Sequence, residues 1–193
     1  MKSVNKIWIA FALMVVVALA TFSCSNEFNR STSPVELIVT NTQVIQRFDI
    51  DPAALNCDKD ITAFIIASRL KAADTNVDQR FNDVRITSYR VSYRRIDGGT
   101  AVPAPIVRPI DVLVPAGGTA PTGKIVLVTG DALNQAPFAS LRATNGGRDP
   151  ETGRMVVTLE ITVEFFGETL AGTNVSGSSH LPLDFCFQCQ GCK

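Results

Sequence analysis

Apolar and polar residues alternate along most of this chain, and a period of two puts every second side chain on one face of a β-strand. Met155 to Phe165 shows it most plainly. Met155, Val157, Leu159, Ile161, Val163 and Phe165 share one parity, and Thr158, Glu160, Thr162 and Glu164 the other. Leu181, Leu183, Phe185 and Phe187 repeat the pattern, and the two runs are expected to pair through a connection spanning Gly167 to Val175. Pro182 has no N–H to give to a ladder, which argues for an edge strand or an outward-facing position. Further strands are predicted at Val35 to Phe48, Ile61 to Leu70, Val84 to Ile96, Ile106 to Val114 and Lys124 to Thr129. Parity switches between Ile86 and Tyr89, and a bulge near Thr87 and Ser88 would reconcile the two halves. Only Asp131 to Leu141 reads as helical, and Pro137 limits it to a short piece. Seven strand-like runs punctuated by Gly or Pro predict an all-β fold, a single antiparallel β-sandwich.

The alternation is absent before Val35. Lys2 and Lys6 precede an unbroken apolar run of 14 residues, Ile7 to Ala20. That is shorter than the roughly 20 a helix needs to cross a bilayer, so residues 1–23 read as a removable secretory leader. Thr21-Phe22-Ser23-Cys24 closes it, and Cys24 resembles the acylated cysteine of bacterial lipoproteins, where a small residue precedes the cut. Thr21 and Phe22 depart from that pattern, which has Leu and a small residue there. Cleavage after Ala18-Leu19-Ala20 is the alternative and would release a soluble protein. On the lipoprotein reading, residues 24–34 form a polar lipidated tether, 35–187 the β-domain and 188–193 a cysteine-containing tail. Ser25 after the cysteine resembles lipoproteins sent to the outer membrane in hosts with two membranes, which makes a membrane, reached through the lipid, the first expected partner.

Size and charge narrow the function classes. The chain has 193 residues, enough for one domain with a real core, and a formal net charge of zero. Loss of Lys2 and Lys6 with the leader leaves sixteen basic against eighteen acidic residues, a net charge of −2. Such a chain has no strong field for steering nucleic acid, and no nucleic-acid partner is expected. In strand number and pattern, residues 35–187 resemble immunoglobulin-like or fibronectin-III-like domains. The body lacks their core tryptophan and the Cys…Trp…Cys order of antibody domains, so the resemblance implies an architecture and no binding residues.

The sharpest local feature is Cys186-Phe187-Gln188-Cys189-Gln190-Gly191-Cys192, with Cys57 far upstream. Five cysteines leave an odd one in an oxidising compartment, and lipidation of Cys24 restores an even number. Structural disulfides are expected among Cys57, Cys186, Cys189 and Cys192, with Cys57 bonded to one of the tail cysteines. Four thiolates binding zinc, or an exchangeable redox pair, are the alternatives. Extended residues 186–189 would hold their Cα atoms about 10 Å apart, beyond the roughly 7 Å a disulfide spans, so a local bond needs a turn. Gln190-Gly191 is the turn candidate.

The remaining motifs are weaker. Asp74, Asn76 and Asp78 have the spacing of oxygen ligands for calcium, but Gln79 and Arg85 stand where an EF-hand loop needs glycine and glutamate, and a solvated loop is expected. Gly118 to Lys124 resembles a phosphate-binding P-loop, yet Ile125 replaces its Ser or Thr and a strand follows. His180, the only histidine, has Asp184 on its own face about 13 Å away, too far for a triad, and is expected on an exposed edge. Arg85, Arg90, Arg94 and Arg95 lie along the Val84 to Ile96 run with Tyr89 and Tyr93 between them, a pattern that could bind nucleic acid or an anionic surface; parity sends the tyrosines to the core opposite Arg90 and Arg94, and a solvated charged face is expected. No cofactor is implied. The expectation is a non-enzymatic envelope lipoprotein, a structural or interaction module that takes a partner strand on an exposed edge such as that of Pro182. The alternative is a redox or metal-handling envelope protein acting through Cys57, Cys186, Cys189 and Cys192.

Overall fold

A computed structural model describes residues 33–42, 47–50, 58–62, 64–71 and 79–189. Among them ten strands run in the order β1 (Val35–Asn41), β2 (Arg47–Asp49), β3 (Lys59–Ile61), β4 (Phe64–Leu70), β5 (Val84–Arg95), β6 (Ile106–Val114), β7 (Thr119–Pro121), β8 (Ile125–Val128), β9 (Val156–Thr169) and β10 (Asn174–Cys186). Four short 3-10 turns, Gln79–Asn82, Ala132–Asn134, Phe138–Leu141 and Ala143–Asn145, are the only helical pieces among the described residues. The fold is all-β. The strands form sheets in the orders β1-β4-β7, β2-β10-β9-β5-β6 and β3-β8, and the five-stranded sheet curls as a half-barrel.

The alternation of the sequence is what builds the five-stranded sheet. β9 buries Val157, Leu159, Ile161, Val163 and Phe165 and pairs antiparallel with β10, Leu181 opposite Ile161 and Leu183 opposite Leu159. The connection turns at Leu170–Thr173, where Gly172 takes a φ of +83°. β5 shifts register between Ile86 and Ser88 against both neighbours, which is the bulge the parity switch required. Gly167 lies against that irregularity. A Cβ there would run into the Arg85 carbonyl, so only glycine lets the two backbones approach.

Three expectations change. The five-stranded sheet is mixed rather than antiparallel, because β2 runs parallel to β10, with Phe48 opposite Phe185. Alternation reports which face a residue takes, and is silent on strand direction. The run from Val35 divides into β1 and β2, which join different sheets. The run from Ile61 divides as well: Ile61 and Phe64 are both buried at an odd spacing, so the period breaks between them, and β3 pairs with β8 while β4 pairs with β1.

One apolar cluster joins the sheets. Phe64 of β4 packs edge-on against Phe165 of β9 at 5.8 Å between ring centroids. β8 is buried along its whole length, as its unbroken Ile-Val-Leu-Val run suggests. Tyr93 and Tyr89 tie it to β5: the Tyr93 hydroxyl donates to the Leu127 carbonyl at 2.7 Å, and the Val126 N–H donates to the Tyr89 hydroxyl at 3.2 Å. The 3-10 turns on either side of Pro137 bury Leu133, Phe138 and Leu141, and Phe138 meets Phe185 at 4.6 Å.

Candidate functional site

One side of β10 is open along most of its length. β2 covers only Asp184, Phe185 and Cys186, and among the described residues no strand pairs with β10 on that side from Asn174 to Leu183. The Ile50 N–H donates to the Cys186 carbonyl at 2.9 Å. Even-numbered residues of β10 therefore aim their backbone groups away from β9, and the β9 register carries no shift that would reverse this parity. Ser176, Ser178 and His180 direct their N–H and C=O groups to the open side. Pro182 shares the parity and sits exposed there, where its missing N–H costs no ladder bond.

β1 crosses the inner face of the same strand. Gly177 makes the crossing possible, since a Cβ on it would lie 2.8 Å from Leu37 Cβ and 3.0 Å from the Leu37 carbonyl oxygen. Between the two strands runs a groove of about 890 Å³. Val35, Leu37 and Phe166 supply apolar wall, Ser176 and Ser178 polar wall, and charged side chains of both signs, including the Arg90–Glu164 pair, line it as well. Such a groove suits an extended peptide: it combines apolar and polar wall with a row of backbone groups that no strand pairs with among the described residues.

Three of the four arginines lie on the outer face as expected. Arg85 pairs with Asp111, Arg90 with Glu164 and Arg94 with Glu160 across neighbouring strands, all with exposed guanidinium groups. Arg95 corrects the fourth expectation. Its side chain is 1 % exposed and reaches Asp97 and Asp149, each also 1 % exposed, and Glu151 at 35 %. The signal was available: Arg95 shares the parity of Tyr89, Val91 and Tyr93, and so belongs to the inner face. Burial pushes the Asp97 carboxyl up, but the Arg95 guanidinium and the N–H groups of Thr158 and Gly99 outweigh it and hold it at about 2. Burial likewise raises Asp149, and Arg95 with Thr152 brings it below the usual carboxylate range. The Thr100 hydroxyl and the Ala101 and Thr100 N–H groups lower Glu151. This cluster clamps the loop after β5 to the turn before β9. No sequence-predicted site residue belongs to it.

Cys186 and Cys189 stand at bonding distance with Cα atoms 6.0 Å apart. The turn that joins them is Phe187-Gln188, with Gln188 at a φ of +54°, rather than Gln190-Gly191. Asp49 holds the turn by accepting the Gln188 N–H at 2.9 Å, so the bonded pair closes the corner where β2 docks. Cys24, Cys57, Cys192, Asp74, Asn76 and Asp78 lie outside the described residues. Among the described residues no cluster of three or more His, Cys, Asp or Glu side chains could hold a metal ion. His180 is exposed, with Nδ1 at 2.9 Å from the Thr162 hydroxyl. Gly118 to Lys124 contains β7 and a turn at Gly123, and leads into β8. The chain matches no family model and no curated protein.

Proposed function

We propose that this protein is a non-enzymatic cell-envelope lipoprotein that captures an extended segment of another envelope protein as an added strand. Acylated Cys24 holds it to the membrane, the outer one where the host has two, and residues 25–34 connect the anchor to the body. The body is read as a sandwich of immunoglobulin-like or fibronectin-III-like type, a reading supported by the core that β1 and β4 share with β9 and β10. The observation that carries the binding role is the side of β10 beside the groove that no strand among the described residues pairs with. Edge strands left open invite association and are ordinarily blunted, and here only Pro182 interrupts the row.

Two experiments test the two halves of this reading in the full chain expressed with its leader. Cys24→Ser should move the protein from the detergent phase to the aqueous phase, and unchanged partitioning refutes the anchor. A photo-crosslinking residue at Ser176 should yield a discrete adduct in intact envelopes, and Ser178→Pro in the same chain should abolish it by removing one edge N–H. An adduct indifferent to Ser178→Pro, with the fold retained by circular dichroism, refutes strand addition.

A further inference from the structure

Four stretches of chain meet at one end of the body. Leu170 N–H donates to the Asp83 carbonyl at 2.8 Å and Ala171 N–H to the Phe81 carbonyl at 3.1 Å, joining the β9–β10 turn to the 3-10 turn Gln79–Asn82. Ala116 N–H donates to Asp83 Oδ1 at 2.7 Å, bringing in the β6–β7 connection. Ser33 and Val35 line the same groove as Asn174 and Val175, so the chain also enters the body here. This end carries Phe81 at 59 % exposure, Leu170 at 55 % and, one residue from the Val84–Val114 pair, Leu113 at 53 %. Phe81 is the only aromatic ring among the exposed large hydrophobic residues of the described body. Its backbone bonds hold it on short turns rather than on a free loop.

The tether decides what faces this end. Eight residues separate Cys24 from Ser33, and a chain that short spans at most about 30 Å. β9 alone has 14 residues, about 46 Å of strand, so the far end of the body stands well away from any surface to which Cys24 is fixed. We infer that Phe81, Leu170 and Leu113 form a foot that rests on the phospholipid surface holding the anchor, with the Phe81 ring among the upper acyl chains. This rests on the lipoprotein reading and extends it: the fold then sits upright, and the open side of β10 stands along the membrane normal. Charges of both signs, Lys71 and Arg80 with Asp83 and Glu168, lie near this end, so apolar burial rather than attraction to anionic lipid drives the contact.

Trp8 is the only tryptophan and precedes Cys24, so a tryptophan placed in the body becomes the sole reporter once the leader is removed. The full-length Phe81→Trp chain, acylated by an exporting host, is reconstituted in phosphatidylcholine vesicles with brominated acyl chains. Met155, 62 % exposed and just before β9 at the opposite end, gives the Met155→Trp control. The indole emission of the Phe81→Trp protein should fall at least about twofold against unbrominated vesicles, because side chains seated about 5–10 Å deep lie among the labelled chains. The Met155→Trp protein should be unaffected. Vesicle-bound protein with both reporters unquenched, or both quenched alike, overturns the foot and leaves the anchor standing. An unsubstituted protein that fails to float with the vesicles overturns the anchor and the foot together.

Discussion

Replacing Arg95 with alanine removes the one cation from a pocket that holds three carboxylates. The guanidinium donates to Asp97 through Nε at 2.7 Å and Nη2 at 2.8 Å and to Asp149 at 2.9 Å, all three side chains being buried. Leaving two carboxylates buried without a counter-charge costs about 3–5 kcal/mol. For a body of this size each kcal/mol moves the melting temperature by about 2–4 °C, so Arg95→Ala should melt about 6–20 °C lower. Arg94, the next residue, has a side chain 70 % exposed and one exposed partner in Glu160. Arg94→Ala should therefore cost no more than about 1 kcal/mol. The two variants differ by one position and by face, so comparing them in urea and in thermal unfolding isolates burial from charge. Equal losses, within about 0.5 kcal/mol, would show that Arg95 is not buried as an ion pair and would refute the placement of the inner face at the end of β5. A triple change, Arg95→Met with Asp97→Asn and Asp149→Asn, should recover most of the loss, since it removes the buried charges and their desolvation penalty and leaves only the part-exposed Glu151 ionised.

Acid should weaken the same clamp. The Asp97 carboxyl is held at about 2 against an ordinary 3.8, so folding favours its ionised form; that stabilisation, about 2 kcal/mol, is complete above pH 4 and is lost as pH falls from about 4 through 2. Urea midpoints measured between pH 5 and pH 2 should drop accordingly, and a flat profile would contradict the shift. Gly167→Ala forces a methyl group into the Arg85 backbone at the β5 bulge and should cost about 1–3 kcal/mol or prevent folding; a variant as stable as the parent would mean that the approach is looser than described. Cys186 and Cys189 are bonded to each other; on the proposed acylation of Cys24, Cys57 and Cys192 are the cysteines left, and peptide mapping of protein prepared without reductant should join them. Two free thiols or bound zinc would refute that bond.

Sequence pattern located most of the strands because burial on one face writes itself as parity. Val157 to Phe165 and Leu181 to Phe185 carry that signal, and the pairing of their strands through the turn at Leu170 follows from it. The tyrosines of β5 and the bulge at Ile86 to Ser88 were legible for the same reason. What was not legible depends on partners distant in sequence. Whether β2 would run with or against β10, or that β3 and β4 would join different sheets, has no period to announce it. Arg95 was misjudged because its type suggested solvent while its position pointed inward, and position won once Asp97 and Asp149 supplied the compensating charges. The groove was out of reach for a related reason: nothing local to Gly177 signals a crossing strand, and only the approach of β1 gives the glycine a purpose.

The docking of β2 has a bearing on how the polypeptide acquires its shape. Asp49 meets Gln188 across 139 positions of chain, and Cys186 Sγ lies 3.8 Å from the Phe48 carbonyl across 138. An early stretch must wait, unpaired, until almost the last residues have been made before it finds its place. Contacts so distant in order form slowly and late. On the proposed export as an extended thread, that delay is useful: the lock is absent during transit and snaps shut only on the far side.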